Sequence, residues 1–409
     1  MTVKKFSLRC IACGGAAPAE PRTYVCPSCG GNCEVVMPDP GWTRADLGKD
    51  QGGCRRGGIA RYVSMLPLQS ADSLPPLQVG PTPFIPSPKL AQELGIGRLF
   101  IKDDGRLPSG SFKDRASAVA LARAKEIGAM EICGASTGNA AAATACLGAS
   151  MGIYPSIFVP KTAPRAKIAQ LVTFGARVFL VDGNYDAACD LALEATHAFG
   201  WYNRNTGFNP YTREGKKTVS YEILEDMSWS VPDWVIVSVG DGNIISGVWK
   251  GFREMREWGF VDRAPKLIAA QSENSRSVSD AILGDGVIRP VRATTIADSI
   301  SVDLPRDGLA AVKAVRESAG RPVVVSDREI LDAQKYLARN AGVFTEPAGA
   351  CAVAALCKAA SEGIIGAGET VVVITTGNGL KDVDSVLRGL PELPLVKPDI
   401  ESLKAALKR

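Results

Sequence analysis

The sequence has only one histidine and no pair of carboxylates at a recognisable catalytic turn. The histidine, His197, lies in "LALEATHAFG" at the end of a predicted helix, far from every motif described below. We therefore interpret His197 as a structural residue and not as the acid–base group that histidine often provides. Any proton transfer in this protein must be carried by another kind of residue.

The chain also lacks long apolar runs and blocks of like charge. It contains no run of about 18 apolar residues, and the N-terminal "MTVKKFSLRC" has no apolar core of the kind that a signal peptide requires. The formal net charge is +4, and basic clusters such as "CRRGG" are short. We therefore expect a cytoplasmic protein of two or three domains with neither a membrane nor a nucleic acid as partner.

Four of the eleven cysteines stand in two CxxC knuckles, Cys10 with Cys13 and Cys26 with Cys29. Each knuckle is followed by a glycine pair, and four thiolates on facing hairpins match the tetrahedral ligand set of zinc. We predict a zinc-ribbon-like module over residues 1–37, because so small a unit needs a metal to supplement its core. Most of the other cysteines lie in apolar segments and are predicted to be packing residues.

Three other interpretations of the knuckles stay open at this point: a ribbon scaffold without metal, a redox pair, and a nucleic-acid-binding module. A redox pair belongs at the start of a helix in a βαβ unit, and neither knuckle has that setting. A nucleic-acid module needs basic residues interleaved with aromatic ones. Residues 1–40 carry few cations and scattered aromatics, which disfavours that interpretation.

The rest of the chain alternates between two kinds of segment. Residues 38–57 are rich in Gly, Pro, Arg and Asp and predict a linker. From about residue 81, eight short β-branched runs, from "RLFIKD" to "ETVVVITTG", alternate with Ala-rich segments at helical spacing. This alternation predicts α/β domains with open parallel sheets. Function in such sheets lies at the carboxyl ends of the strands, so we look to the strand-to-helix turns.

Several of these turns are rich in glycine and hydroxyl residues. "LPSGSFKDRAS" places Lys113 at the start of a helix, and three further turns read "GASTGN", "SVGDGN" and "TTGNGLKD". Free amides at a helix N-terminus bind anions, and small residues let a carboxylate or phosphate approach the backbone. Each turn alone is explained equally well as a structural helix cap. The three turns together with Lys113 predict one binding site.

These motifs, with "NPYTREGKKT" and "GVFTEPAGA", resemble the threonine synthase family, which are pyridoxal-phosphate enzymes of fold type II. The resemblance runs from about residue 6 to residue 385, and a two-knuckle ribbon occurs in part of that family. It implies two open parallel-sheet domains of the tryptophan-synthase-β type. The large domain would span residues 58–118 and 225–409, and a small mobile domain would span residues 119–224.

The resemblance implies a role for each motif residue. Lys113 would bind pyridoxal phosphate covalently and later move protons, helped by a desolvated pocket that lowers the pKa of its amine. Thr376 would face the pyridine nitrogen, which favours elimination and replacement chemistry. The remaining cofactor residues would be Phe112, Asn139, Gly240, Asp241, Gly242, Asn243 and Ile244. The substrate residues would be Ser136, Thr137, Gly138, Ala140, Thr212, Arg213 and Lys216.

The substrate side of this site departs from the family pattern. In "NPYTREGKKT", Thr212 stands where the family has an arginine that helps to hold the substrate's phosphate. Arg213 lies one place later, and Lys216 replaces a glutamine; either cation is a candidate for the missing contact. Ala140 follows "STGN" where the family commonly has threonine, and Asn378 replaces a histidine in "TTGNGLKD".

The resemblance implies elimination and replacement on an O-phospho-amino acid, in a biosynthetic lyase or synthase. The leading expectation is threonine synthase, which converts O-phosphohomoserine and water to threonine and phosphate. One alternative is β-replacement on O-phosphoserine, as in a cysteate synthase that uses sulfite. The other is a β-elimination like that of threonine and serine dehydratases. The expected cofactor is pyridoxal phosphate, with zinc in the ribbon, and the resemblance implies a homodimer.

Overall fold

The computed structural model describes most of the chain, namely residues 5–47, 57–163, 165–387 and 393–407. The predicted linker over residues 38–57 therefore lies partly outside the described residues, at 48–56. The same holds for residues 1–4 of the predicted ribbon, residue 164 of the predicted small domain, and residues 388–392 and 408–409 of the large one. No helix in the described ranges is long and apolar enough to cross a bilayer.

Strands and helices alternate after a strand-rich N-terminus. The strands are β1 (Ser7–Cys10), β2 (Ala16–Ala17), β3 (Cys33–Val36), β4 (Phe84–Pro86), β5 (Arg98–Asp103), β6 (Ile132–Ala135), β7 (Ser156–Pro160), β8 (Arg177–Val181), β9 (Tyr202–Asn203), β10 (Trp234–Ser238), β11 (Lys266–Ser272), β12 (Arg321–Val325) and β13 (Thr370–Thr375). The helices are α1 (Pro88–Glu93), α2 (Lys113–Glu126), α3 (Asn139–Ser150), α4 (Arg165–Thr173), α5 (Tyr185–Phe199), α6 (Tyr211–Lys216), α7 (Thr218–Asp226), α8 (Asn243–Glu257), α9 (Ser277–Leu283), α10 (Gly308–Glu317), α11 (Asp327–Ala341), α12 (Pro347–Ser361), α13 (Val383–Leu387) and α14 (Ile400–Leu407).

The N-terminal module is a three-stranded antiparallel sheet in the order β2-β1-β3. Its two cysteine knuckles close with the same hydrogen bond. The amide of Gly14 donates to the carbonyl of Cys10 at 3.0 Å, and that of Gly30 donates to the carbonyl of Cys26 at 2.9 Å. Both glycines have positive φ, which only glycine adopts without steric cost. The two knuckles are therefore local copies of one turn.

Two further sheets form the rest of the fold. The larger has six strands in the order β12-β11-β10-β13-β5-β4, parallel except for β4 at the edge. Its central strands β10 and β13 are buried at every residue, as expected when helices cover both faces. Helices α11 and α12 pack on one side, and α8 and α10 on the other. The smaller sheet has four parallel strands in the order β8-β7-β6-β9.

The predicted fold class is confirmed. The eight β-branched runs form β5 to β8 and β10 to β13, and the cysteine knuckles belong to a separate small sheet. Strands β4 and β9 were not predicted, because runs of three and two residues are too short to show a period. The domain limits near residues 118 and 224 stay predictions.

A buried cluster of charges joins β5, α2 and α7. The guanidinium of Arg115 on α2 donates to Asp104 at 2.6 Å and to Glu222 at 2.7 Å, and all three side chains are fully buried. Lys102 on β5 contacts Glu222 at 3.1 Å and Asp226 at 2.7 Å. Burial alone would raise the pKa of Glu222, but the charges of Arg115 and Lys102 lower that pKa to about 2. The cluster therefore fixes the amino-terminal turn of α2.

We predict that Arg115→Met lowers the free energy of unfolding by about 3–5 kcal/mol, because it leaves Asp104 and Glu222 buried without their partner. The stabilising effect of Glu222 is present above the ordinary glutamate pKa of 4.5 and is lost as pH falls towards 2. An unpaired buried carboxyl prefers its neutral form. The difference in the free energy of unfolding between wild type and variant should therefore narrow below about pH 4.5. Urea unfolding near pH 7 and near pH 4 measures both effects.

The matched control is Arg177→Met, which breaks an exposed ion pair with Glu131. It should cost less than about 1 kcal/mol. An equal loss in the two variants would contradict a special role for the buried cluster.

Candidate functional site

Lys113 is the first residue of α2 and lies at a cleft between the two larger sheets. The loop before it is joined to the loop after β13: the amide of Phe112 donates to the carbonyl of Thr376 at 2.9 Å, and the amide of Asn378 donates to the carbonyl of Gly110 at 2.9 Å. These bonds place Lys113 and Thr376 on one cleft, although 263 positions separate them in the sequence.

The amine of Lys113 is set up as a nucleophile. Desolvation by the surrounding protein lowers its pKa; Asp241 and Glu346 oppose that shift, while the positive charge of Arg204 adds to it. No carboxylate forms an ion pair with Lys113 within the described parts of the chain. An amine with a lowered pKa is more often neutral at physiological pH, which is the form that attacks a carbonyl.

The turn from β10 into α8 is an anion-binding turn. Residues 240–244 line the cleft, and Asn243 begins the helix. Gly242 has a φ of +90°, and a Cβ added there would lie 2.8 Å from the carbonyl oxygen of Asp307. The chain therefore needs glycine at this position. Free amides at the start of α8 point towards the cleft end of the helix, where the helix dipole also favours an anion.

Asn243 connects this turn to α6. Its side-chain oxygen accepts a hydrogen bond from the amine of Lys216, and its amide nitrogen donates to Asp307 at 2.7 Å. Burial, together with the charges of Lys113 and Arg204, lowers the pKa of Lys216. Lys216 thus places a buried amine directly beside the anion-binding turn.

The opposite wall of the cleft contains a residue that the sequence did not single out. Glu346, at the start of α12, accepts from the side-chain amide of Asn139 at 2.9 and 3.1 Å, and burial raises the pKa of its carboxyl. The same amide contacts the hydroxyl of Ser299 at 3.3 Å. Glu346 stands inside the quoted motif "TEPAGA", where a polar residue before a helix-starting proline was the signal that could have identified it.

None of the seven predicted substrate residues is part of the cleft lining. Ser136, Thr137 and Gly138 form the half-buried turn before α3, where the amide of Gly138 donates to the hydroxyl of Ser136 at 3.2 Å. Ala140 follows on α3. Of this stretch only Asn139 is part of the cleft lining.

Residues 212 and 213 are held away from the cleft lining. The hydroxyl of Thr212 donates to the carbonyl of Asn209 at 2.8 Å. Arg213 forms a bidentate pair with Asp307, with both distances at 2.6 Å, and also donates to the carbonyl of Cys33 in the ribbon at 3.3 Å. The one-place displacement of the arginine therefore directs it to an ion pair that supports Asp307 and, through Asp307, Asn243.

The donors around the cleft fit pyridoxal phosphate. Lys113 supplies an amine for the carbonyl carbon, and the glycine-containing turn before α8 supplies amides for a phosphate. The buried hydroxyl of Ser238, at the end of β10, has no hydrogen-bond partner among the described residues, so it is free to bond a ligand in the cleft.

The four knuckle cysteines converge as their spacing predicts. Their sulfur atoms all lie within 4.8 Å of one another. The Cys10 and Cys29 sulfurs are 3.5 Å apart, and those of Cys13 and Cys26 are 3.8 Å apart. A tetrahedron with zinc–sulfur bonds of 2.3 Å has edges of about 3.8 Å. The donor set therefore fits a structural zinc ion.

Comparisons with known proteins agree with this site. A family model described as pyridoxal-phosphate dependent enzyme matches residues 76–377. Threonine synthase of Methanocaldococcus jannaschii is 36% identical over 403 residues, which cover 98% of this chain and 99% of that protein. Threonine synthase of a Synechocystis species is 37% identical over 359 residues, covering 87% and 91%.

Solved structures of lower identity share the fold. Processed threonine deaminase isoform 2 from Solanum lycopersicum has a TM-score of 0.66 at 24% identity, covering 75% of this chain and 82% of that one. Diaminopropionate ammonia lyase from Escherichia coli has a TM-score of 0.65 at 18% identity, covering 76% and 88%. At such identity these similarities show the fold alone.

Fold and site together define an α/β enzyme that depends on pyridoxal phosphate and has the type II fold of that class. The family model alone spans most of the chain, and the relatives match it almost from end to end. The chain belongs to the threonine synthase family, and it acts on a small amino-acid substrate.

We predict that the full-length protein binds about one zinc ion per chain and that Cys26→Ser abolishes this binding. The variant should also unfold at a lower temperature, because metal binding contributes to the stability of so small a module. Elemental analysis and thermal unfolding measure the two effects. Cys357→Ser, at a half-buried cysteine on α12, is the control and should keep the metal. A metal-free wild type with four reduced thiols would favour the metal-free scaffold.

We predict that Gly242→Ala weakens cofactor binding by about 10-fold or more, because the added methyl group meets Asp307 and Ala311 at 2.8 Å and distorts the anion-binding turn. Titration of the apoenzyme with pyridoxal phosphate, followed by visible absorbance, measures the affinity. Gly259→Ala is the matched control, since Gly259 also has positive φ but no atom within 4 Å of the added Cβ. A similar loss of affinity for pyridoxal phosphate in both variants would indicate general backbone strain and not a local effect on the cofactor.

Proposed function

We propose that this protein is a threonine synthase that converts O-phosphohomoserine and water to threonine and phosphate. The proposal goes beyond family membership because it names the substrate and the product. Relatives named threonine synthase match the chain over almost its whole length, including the N-terminal module. The residues that face the cofactor cleft carry the same motifs that the resemblance rests on.

The observation that carries the proposal is a group of hydrogen-bond donors for anions in and beside the cleft. Lys113 and Lys216 both have lowered pKa values, chiefly from burial, and neither has an ion-pair partner in the described ranges. The amides at the start of α8 add partial positive charge at the same place. One phosphate, that of the cofactor, fits this turn, and the amine of Lys216 beside it, which uses one N–H on Asn243, keeps a donor for a second anionic group. A phosphorylated amino acid supplies that group.

Each residue around the cleft has its own role in the proposed reaction. Pyridoxal phosphate, when bound, supplies the electron sink that stabilises negative charge at the substrate Cα. Lys113 would move protons between Cα, Cβ and Cγ once its amine is free, which its lowered pKa favours. Asn139, held by Glu346, would orient the cofactor ring through its phenolic oxygen. Ser136 and Thr137 would hold the substrate carboxylate at the start of α3, and Thr376 would face the pyridine nitrogen.

A second candidate is β-replacement on O-phosphoserine with an anionic nucleophile such as sulfite. One observation favours it: Thr212 and Arg213 are both engaged with protein partners, so neither supplies the phosphate contact that the family arginine provides. A three-carbon substrate places its phosphate closer to the cofactor and depends less on that contact. The homodimer expected from the resemblance is a separate proposal, which sedimentation of the holoenzyme would test.

We predict that the purified, cofactor-loaded enzyme produces threonine and inorganic phosphate from O-phosphohomoserine. Three incubations should be compared: O-phosphohomoserine alone, O-phosphoserine with sulfite, and threonine or serine alone. Mass spectrometry identifies the amino acids, and a phosphate assay measures the leaving group. The expected result is threonine in the first incubation, with little product in the others.

Lys113→Ala is the control and should lose turnover by several orders of magnitude, because the proton-transfer group is removed. Cysteate in the second incubation, with the first silent, would replace the proposal by the sulfite reaction. A 2-oxo acid and ammonia in the third, with the first silent, would indicate a dehydratase.

A further inference from the structure

Arg204 is a buried cation that has no acidic partner. It follows β9, its side chain is 3% exposed, and no carboxylate forms an ion pair with it in the ranges that the structure describes. Its guanidinium donates to the hydroxyl of Ser117 at 2.9 and 3.2 Å and to that of Thr206 at 3.0 Å. These three bonds leave two of the five guanidinium N–H groups for another acceptor.

Apart from Lys216, the other deeply buried cations in the described ranges are paired. Arg115 contacts Asp104 and Glu222, Arg213 contacts Asp307, and Lys250 contacts Glu214 at 3.0 Å. A buried charge without a partner is costly, and the fold meets that cost with carboxylates everywhere except beside the cleft. Arg204 therefore differs from the structural cations in the feature that identifies a ligand-binding charge.

Arg204 lies close to the start of the helix that carries Lys113. Ser117 lies one helical turn after Lys113 on α2, and its hydroxyl also contacts that of Thr144 on α3 at 3.2 Å. The guanidinium thus lies beside the second turn of α2, the helix that begins with Lys113. Arg204 is close enough to Lys113 for its positive charge to contribute to the lowered pKa of the Lys113 amine.

Arg204 stays charged in spite of this setting. Burial lowers the pKa of its guanidinium to about 10, which is still well above neutral pH. Asp114 is the one carboxylate with a favourable effect on it, but that carboxylate accepts hydrogen bonds from the amide and hydroxyl of Ser109 at 2.7 and 2.5 Å. Tyr185 and Tyr202 are the other titratable groups that face it, and burial raises the pKa of both phenols. Neither phenol offers a negative charge.

We propose that Arg204 binds the phosphate group of the substrate and takes the place of the arginine that the family motif has at position 212. The inference rests on the proposed function and extends it by naming the residue that selects a phosphorylated amino acid. A guanidinium with two free N–H groups matches two oxygens of a phosphate. Thr206, which Arg204 contacts, lies in the same loop and keeps the guanidinium oriented.

The test compares ligands that differ only by a phosphate group. The holoenzyme is titrated with O-phosphoserine, serine and inorganic phosphate, and binding is followed by calorimetry and by the visible absorbance of the cofactor. The wild type should bind O-phosphoserine more tightly than serine. Arg204→Gln should weaken binding of O-phosphoserine and phosphate by about 10- to 100-fold, the effect of one or two charge-assisted hydrogen bonds. Serine binding should change by less than about 2-fold.

Two further variants separate charge from packing. Arg204→Lys keeps a positive charge with fewer aligned donors, so it should recover part of the preference for the phosphorylated ligand. Arg276→Gln removes an exposed guanidinium that pairs with Asp280 and makes none of these contacts, and it should leave all three affinities unchanged. If Arg204→Gln does not fold, Arg204→Lys carries the test, and an unchanged preference in that variant overturns the proposal.

The outcomes distinguish this inference from the proposed function. Equal weakening of serine and O-phosphoserine would assign Arg204 a structural role and overturn the inference. Threonine production by the wild type, with an unchanged ligand preference in Arg204→Gln, would overturn the inference and keep the proposed function. Loss of the preference in Arg204→Gln, in an enzyme that makes no threonine, would support Arg204 as the phosphate residue and reject threonine synthase activity.

Discussion

The position of Lys113 depends on the ion pairs that Arg115 makes in the interior. Arg115 lies two residues after Lys113 on the same helix, and its guanidinium joins Asp104 at the end of β5 to Glu222 on α7. A fully buried network of this kind permits one arrangement of its members, because each displaced charge would lose its partner without gaining water. The helix start is therefore fixed before any ligand binds. A covalent site for a cofactor benefits from that rigidity, since the amine must meet the carbonyl carbon at a set distance.

Among the described residues, buried cations in the interior have carboxylate partners, whereas those near the cleft do not. In the interior, Arg115 and Lys102 are matched by three carboxylates, and Arg213 is matched by Asp307. At the cleft, Lys113, Lys216 and Arg204 lack such partners in the described chain. Burial lowers the pKa of all three groups, and an anion bound nearby favours their charged forms. The phosphate of the cofactor is one such anion, and under the proposed function the phosphate of the substrate is a second.

Local patterns were sufficient to predict most of the fold and the meeting of four motif turns at one cleft. Eight strands were visible as β-branched runs, and the spacing of Cys10, Cys13, Cys26 and Cys29 indicated their convergence. The contacts of Arg213 were not predictable, because its partner Asp307 lies 94 positions away and no local pattern links the two. Arg204 is not part of a recognisable sequence motif either. Its significance lies in the absence of a nearby carboxylate, which only the tertiary structure reveals. The sequence shows which residue types lie at the turns, whereas only the tertiary structure shows whether each buried charge has a partner.

The Arg213–Asp307 ion pair also connects the N-terminal module to the cleft through hydrogen bonds. In the ribbon, the carbonyl of Cys33 accepts from Arg213, and the side chain of Asn32 donates to Asp307 at 3.3 Å. Asp307 in turn holds Asn243 at the anion-binding turn. The links are 2.7 to 3.3 Å long and at least partly buried, so a shift of the ribbon strand would be passed to Asn243. The ribbon then acts as a positioning element for the cofactor-binding turn, and the position of its last strand depends on the knuckles that the four cysteines close.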